Sequence, residues 1–222
     1  MDPLQPDTSF HIFNHANGFE NVFCEEENFH YFLDKYWLYI SPIAETYAYC
    51  LMPNHFHLVV RIRKRQTIEA LIRNKNSKNI SKVQNFGNVL NFGKVEEIKI
   101  TDKAIESYLS KQFANLFSCY TQSFNKVYHR MGSLFIKNFK REAIFDKQRF
   151  LNMIIYTHQN PIHHGFRKNY TEWDFSSYNE IIDAVCNNIE IIKLFKMTDG
   201  LETFKEMHRL ALENFDNPYK IE

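Results

Sequence analysis

Residues 44–62, AETYAYCLMPNHFHLVVRI, constrain the fold more than any other part of the chain. Residues 44–52 and 55–62 are dense in aromatic, aliphatic and β-branched residues. Pro53-Asn54 interrupts them, so they read as two strands with a short turn or bend between. Side chains alternate across a strand. His55 and His57 therefore point one way, and Phe56 and Leu58 point the other. Two neutral imidazoles at that spacing can hold one divalent cation; the alternative for such a pair is simple hydrogen bonding at a sheet edge.

The flanking sequence extends this pattern. TSFHIFNH (residues 8–15) reads as a first strand, closed by Asn17-Gly18 as a turn. Residues 28–40 place Phe29, Phe32, Leu33, Tyr36, Trp37 and Ile40 at helical spacing, with Asn28 as the cap. Residues 64–100 break the pattern. They are rich in Asn, Lys and Gly, repeat NFG at 85–87 and 91–93, and read as an insertion with a hairpin-like excursion, flexible or facing nucleic acid. A long amphipathic helix is expected over 103–129, capped by Thr101 or Asp102 and broken at Gly132. LFIKNFKREAIF looks strand-like. Asp146 then caps a helix with an apolar stripe of Phe150, Leu151, Ile154 and Ile155, which Asn160-Pro161 should end within a turn. Past Tyr178 the pattern is helical. The expected organisation is one domain over 1–180, with the 64–100 insertion, and a helical C-terminal extension over 181–222.

The chain of 222 residues is 44% hydrophobic and 16% aromatic, enough for a real core. It holds no run of about 18 apolar residues that could span a membrane, and MDPLQPDTSF lacks the basic start and apolar run of a signal peptide. Cys24, Cys50, Cys119 and Cys186 lie far apart without a CxxC pair, which argues for reduced, structural cysteines, a cytoplasmic protein and no zinc ribbon. The net charge of +1 hides a basic stretch. Residues 121–168 carry nine Lys or Arg against Glu142 and Asp146, whereas residues 199–222 carry six acidic against three basic residues. Such a local field attracts polyanions, although a charge run by itself is equally a solvated face.

A second segment, MIIYTHQNPIHHGF (residues 153–166), bears on the histidines. Tyr156 and Asn160 are four apart and share a helix face. If that face meets the strand, the site has His55, His57 and Asn160 as cation ligands and Tyr156 as a nucleophile. A hard divalent cation such as Mg²⁺ or Mn²⁺ neutralises charge that develops on a phosphodiester and orients it for in-line attack. Attack by a phenol leaves a covalent phosphotyrosine that stores the bond for rejoining, a step that hydrolysis does not need.

Four pieces of sequence carry a resemblance. YAYCLMPNHFHLVV (47–60) resembles the histidine-hydrophobe-histidine motif of the HUH single-tyrosine transposases, most of all the branch called REP-associated tyrosine transposases. FNKVYHRMGSLFIKNFK (124–140), YTHQNPIHHGF (156–166) and WDFSSY (173–178) resemble further segments of that branch, in the same order. The resemblance implies an α+β fold of ferredoxin or RRM type, an antiparallel β-sheet flanked by helices. It implies divalent-metal-dependent cleavage and rejoining of single-stranded DNA beside a hairpin, through a 5′-phosphotyrosine and a free 3′-OH. His55 and His57 match the family's metal ligands, Tyr156 its nucleophile and Asn160 its third ligand. His158 matches a family histidine but, at i+2 from Tyr156, is expected to face away and to be structural. Relatives include dimers that exchange the tyrosine helix, so a homodimer is among the expected states. The family's Asn-Pro-Val-Arg-Ala-Gly is Asn160-Pro161-Ile162-His163-His164-Gly165 here, with His163 in place of Arg.

With that chemistry in view, Arg61, Arg63, Lys64, Arg65, Lys126, Arg130, Lys137, Lys140 and Arg141 are candidate DNA contacts. Phe135 and Phe139 either stack on unpaired bases or belong to the core. The competing readings are a domesticated, non-catalytic nucleic-acid-binding protein on the same fold and a metal hydrolase of small phosphoesters.

Overall fold

The computed structural model describes residues 1–83, 100–183 and 188–214. The two NFG repeats and Cys186 lie outside the described residues. The chain builds β1 (Ser9–His15), α1 (Glu26–Ile40), β2 (Ala44–Met52), β3 (His55–Ile62), α2 (Arg65–Val83), α3 (Asp102–Val127), β4 (Lys140–Ile144), α4 (Lys147–His163), a 3₁₀ turn (Tyr170–Glu172), α5 (Ser177–Asp183), α6 (Ile189–Met197) and α7 (Leu201–Glu213). The four strands form one antiparallel sheet in the order β2-β3-β1-β4. This is the α+β architecture expected from the sequence.

The alternation of β1 and β3 sorts the two faces. Phe10, Ile12, Phe56, Leu58 and Val60 are fully buried in the larger core, against Phe32 and Tyr36 of α1 and Leu109 and Phe113 of α3. The opposite face is covered on the β2–β3 side by α4. There Val59 and Ile144 join a second core with Phe150, Leu151 and Ile154 of α4, Leu194 of α6 and Phe204 of α7. The C-terminal helices thus share a core with the tyrosine helix.

Several local expectations need correction. The segment expected as an insertion over 64–100 opens as helix α2, and the hairpin-like excursion expected at the NFG repeats lies outside the described residues. Ile68 is buried, with Leu71 and Ile72 packed beside it on the larger core. That i, i+3, i+4 stripe is short, and the Asn- and Lys-rich run that follows from Asn74 obscures it in the sequence. Asn28 is not the cap of α1. The cap is Glu25, and Asn28 sits three residues inside in a reciprocal capping box, its side chain accepting from the backbone N–H of Cys24 at 2.9 Å and of Glu25 at 3.2 Å. The strand-like LFIKNFKREAIF yields only Lys140–Ile144, because Asn138 turns into the left-handed region at φ 65°. Thr101 and Asp146 do cap α3 and α4, accepting from the N–H of Ala104 at 3.2 Å and of Arg149 at 2.7 Å. Pro161 lies inside α4, which ends at His163 within a turn of Asn160.

Candidate active site

The uncovered half of the second sheet face is lined by β1 and β4. Register fixes what points there. Phe13 lies opposite both His57 and Lys140, His11 opposite both Val59 and Glu142, and His15 opposite His55. Directly opposed residues share a face. One face therefore carries His55 and His57 of β3, His11, Phe13 and His15 of β1, and Lys140 and Glu142 of β4. Helix α4 crosses beside it and hangs Tyr156 over the strands.

His55 is 3% exposed. Its Nδ1 lies 2.7 Å from Asn54 Oδ1, and since that oxygen only accepts, Nδ1 carries the hydrogen. The remaining Nε2 is a buried lone pair that makes no hydrogen bond. The Asn160 amide faces it. Its nitrogen donates to the backbone oxygens of Tyr156 at 3.0 Å and Thr157 at 3.3 Å, which leaves its oxygen toward the imidazole. Burial, with His15 and His164 nearby, lowers the His55 pKa to about 4; the Asn160 oxygen alone favours the charged form. A buried imidazole nitrogen left without a partner costs energy unless a donor or a cation satisfies it.

His57 is 5% exposed, and its pKa is held well below the usual range by burial first and then by His11 and His55. Its Nδ1 contacts His11 Nε2 at 2.9 Å. The Tyr156 ring stands edge-on to His57, 5.5 Å between centroids, and edge-on to His11 at 6.0 Å. Tyr156 is 39% exposed. Partial burial, then the Glu142 carboxylate, raises the pKa of its phenol. His15 stacks on His55 at 4.6 Å, and His164 meets His55 edge-on at 4.8 Å.

The structure thus brings together His55, His57, Tyr156 and Asn160. Neutral imidazoles and an amide oxygen suit a divalent cation, and the orphaned Nε2 is the observation that makes the fit. Among the described residues no three His, Cys, Asp or Glu side chains converge as a metal cage; the third donor here is an amide. Gln159, beside Asn160 in the chain, lies against the Tyr170 hydroxyl. His158 turns away from Tyr156, as expected, into a buried chain. His208 Nδ1 donates to Phe204 O at 2.9 Å, so its Nε2 accepts from His158 Nδ1 at 2.9 Å. His158 Nε2 in turn accepts from the Ser177 hydroxyl at 2.9 Å. That chain ties α4 to α5 and α7.

The basic candidates divide. Arg141 points to the other sheet face, where it binds Asp2 O, Ser110 and Glu106. Arg130 is held by Glu20, Asn125 and Ser133 O. Arg63 pairs with Glu45 and Glu190, and Arg65 with Glu69 and Asp102. Lys140 and Arg61 lie on the site face, Arg61 beyond Val59 at the far end of β3. Lys64 follows the far end of β3, Lys126 sits in the last turn of α3, and Lys137 lines a groove of about 700 Å³ between α3 and the 133–141 segment. Phe135 is buried, and Phe139 packs partly buried on the larger core with the Arg141 guanidinium over its ring. Arg149, two turns before Tyr156 on the same stripe of α4, was not singled out by the sequence; it pairs with Glu142 at 3.6 Å and acts electrostatically on His11. His11 and His15 were also missed, although their i, i+4 spacing on a strand repeats the logic of the HxH pair.

Comparison with known proteins adds an independent line. No family model matches the chain. A Haemophilus influenzae protein assigned as a REP-associated tyrosine transposase is 22% identical over 186 residues, covering 82% of this chain and 78% of its own length. The chain resembles the REP-associated tyrosine transposases. A solved structure of a REP-associated tyrosine transposase bound to a REP hairpin aligns over 82% of each chain at 14% identity, with a TM-score of 0.49. Among the described residues no helix is long and apolar enough to cross a membrane.

Proposed function

We propose that the protein is a transposase-type enzyme that nicks and rejoins single-stranded DNA next to a hairpin, with Tyr156 as nucleophile. The observation that carries this reading is the placement of the Tyr156 ring beside His57, with the orphaned His55 Nε2 on the same face and Asn160 acting on the His55 imidazole. The sequence resemblance and the Haemophilus influenzae relative support it.

His55, His57 and Asn160 would hold a divalent cation, Mg²⁺ or Mn²⁺. When bound, it neutralises charge on the scissile phosphate and favours ionisation of a nearby phenol. Burial keeps both histidines neutral at pH 7, so they offer lone pairs and not competing charges. Tyr156 Oη forms the new bond to phosphorus as the P–O3′ bond breaks. The phenol loses one proton and the departing 3′ oxygen gains one, so the exchange is balanced and reversible. Lys140 and Arg149 flank the open side and would position the phosphates on either side of the break. Half-exposed Phe13, between His11 and His57, offers a surface for an unpaired base.

The test is a denaturing gel of the protein with labelled hairpin-flanked single-stranded DNA and Mn²⁺. The reading expects a shifted covalent band, abolished in Tyr156→Phe while binding persists. Salt-sensitive binding without an adduct in Mg²⁺ or Mn²⁺ would favour the non-catalytic reading.

A further inference from the structure

We propose that His11 is a positioning residue for His57: it accepts the hydrogen of His57 Nδ1 and so fixes the tautomer that leaves His57 Nε2 bare for a cation. The inference rests on the proposed function above.

The argument starts from strand parity. His11 projects from β1 onto the same face as His57, one step along from Phe13, its direct partner. The diagonal brings the rings to 2.9 Å between His11 Nε2 and His57 Nδ1. The ring planes differ by 6° while the centroids are 5.1 Å apart. A 2.9 Å contact accounts for that separation only if the rings lie edge to edge in nearly one plane. The contact is thus an in-plane hydrogen bond and not a stack.

A neutral imidazole carries one hydrogen, on one nitrogen. If His11 donated, His57 Nδ1 would accept, and the hydrogen of His57 would sit on Nε2. That is its only other nitrogen, and the one available to a cation shared with His55, whose ring is 5.2 Å away. If His11 accepts, His57 Nε2 is free. His55 reaches the same state by another route, through Asn54 Oδ1 on its Nδ1. Each candidate ligand therefore has its own partner behind it, an asparagine for one and a histidine for the other. Such partners hold ring orientation and raise ligand basicity. The coplanar His11–His57 pair also forms the platform on which Tyr156 stands edge-on.

The experiment has two arms. ¹⁵N spectra of the histidine-labelled, metal-free wild type are expected to show His57 with its hydrogen on Nδ1. Finding it on Nε2 overturns the proposal without any variant. The second arm measures Mn²⁺ affinity by electron paramagnetic resonance. His11→Phe keeps a flat ring beside Tyr156 and Phe13 but has no acceptor, and is expected to weaken Mn²⁺ binding by about 10–100-fold. His11→Gln, whose amide oxygen can accept, should recover most of the loss. Wild-type affinity in His11→Phe would overturn the proposal. A wild type that binds no Mn²⁺ would sink the functional reading instead, and the tautomer would still decide the role of His11.

Discussion

His55 bears a strong chemical demand, because its Nε2 is one of two buried side-chain polar atoms without a partner among the described residues, the other being Thr157 Oγ1. Replacing it by Ala should lower DNA cleavage in Mn²⁺ by at least about 100-fold, as loss of a ligand exceeds loss of a ligand's support. The fold should persist, as judged by far-ultraviolet circular dichroism, since the only side-chain hydrogen bond lost is the one from Nδ1 to neighbouring Asn54. Tyr156 gives a second prediction. Its phenol is raised by burial and by Glu142, so it is protonated at neutral pH and cleavage should increase as pH rises toward its pKa. Glu142→Gln removes a charge that opposes ionisation and frees Arg149 from its pair at 3.6 Å. The pH–rate profile of that variant should move to lower pH; an unmoved profile would show that Glu142 does not act on the nucleophile. At this scale His55, His57, Tyr156 and Asn160 were legible because period-2 and i, i+4 spacing survive folding. His11 and Arg149 were not, because their roles depend on which strand lies beside β3 and on where α4 crosses.

Helix α4 is held from behind by the Ser177–His158–His208 chain, and this predicts an acid-labile element. Burial lowers the His208 pKa to about 4 from an ordinary 6.5. The unfolded chain takes up that proton below pH 6.5, the folded chain only near 4. The contribution is therefore complete above pH 6.5 and is lost as pH falls toward 4. At about 1.4 kcal/mol per pKa unit, His208 accounts for about 3 kcal/mol of that loss. Urea melts between pH 7 and 4.5 should show the decline, to which the other buried histidines add, and His208→Gln, which can still accept from His158, should make it shallower; an identical slope would count against the account. The elements themselves were mostly readable. Both long helices announced their caps at Thr101 and Asp146, and β1, β2 and β3 their alternation. Helix α2 was hidden because three apolar residues on one face suffice once α3 packs beside them, whatever the polar residues between. The short β4 reflects a single left-handed residue, Asn138, that composition does not reveal.

At the scale of the molecule, the basic stretch over 121–168 is shared between two jobs. Arg130 and Arg141 hold the protein's own loops, whereas Lys140 and Arg149 border the open side of the site. Affinity for single-stranded DNA should fall with salt, and Lys140→Ala and Arg149→Ala should each reduce the slope by about 0.7, the value for one phosphate contact on a single strand. Arg130→Ala and Arg141→Ala should leave the slope unchanged and lower stability by about 1–3 kcal/mol through lost charged hydrogen bonds. The most direct measurement of the central claim is the identity of the attacking side chain. Trypsin should release residues 150–167, FLNMIIYTHQNPIHHGFR, which contain one tyrosine. After reaction with single-stranded DNA and nuclease trimming, mass spectrometry should find a nucleotide on that peptide, at Tyr156. A nucleotide attached to any other peptide, or cleavage that proceeds with no attachment, would contradict the account.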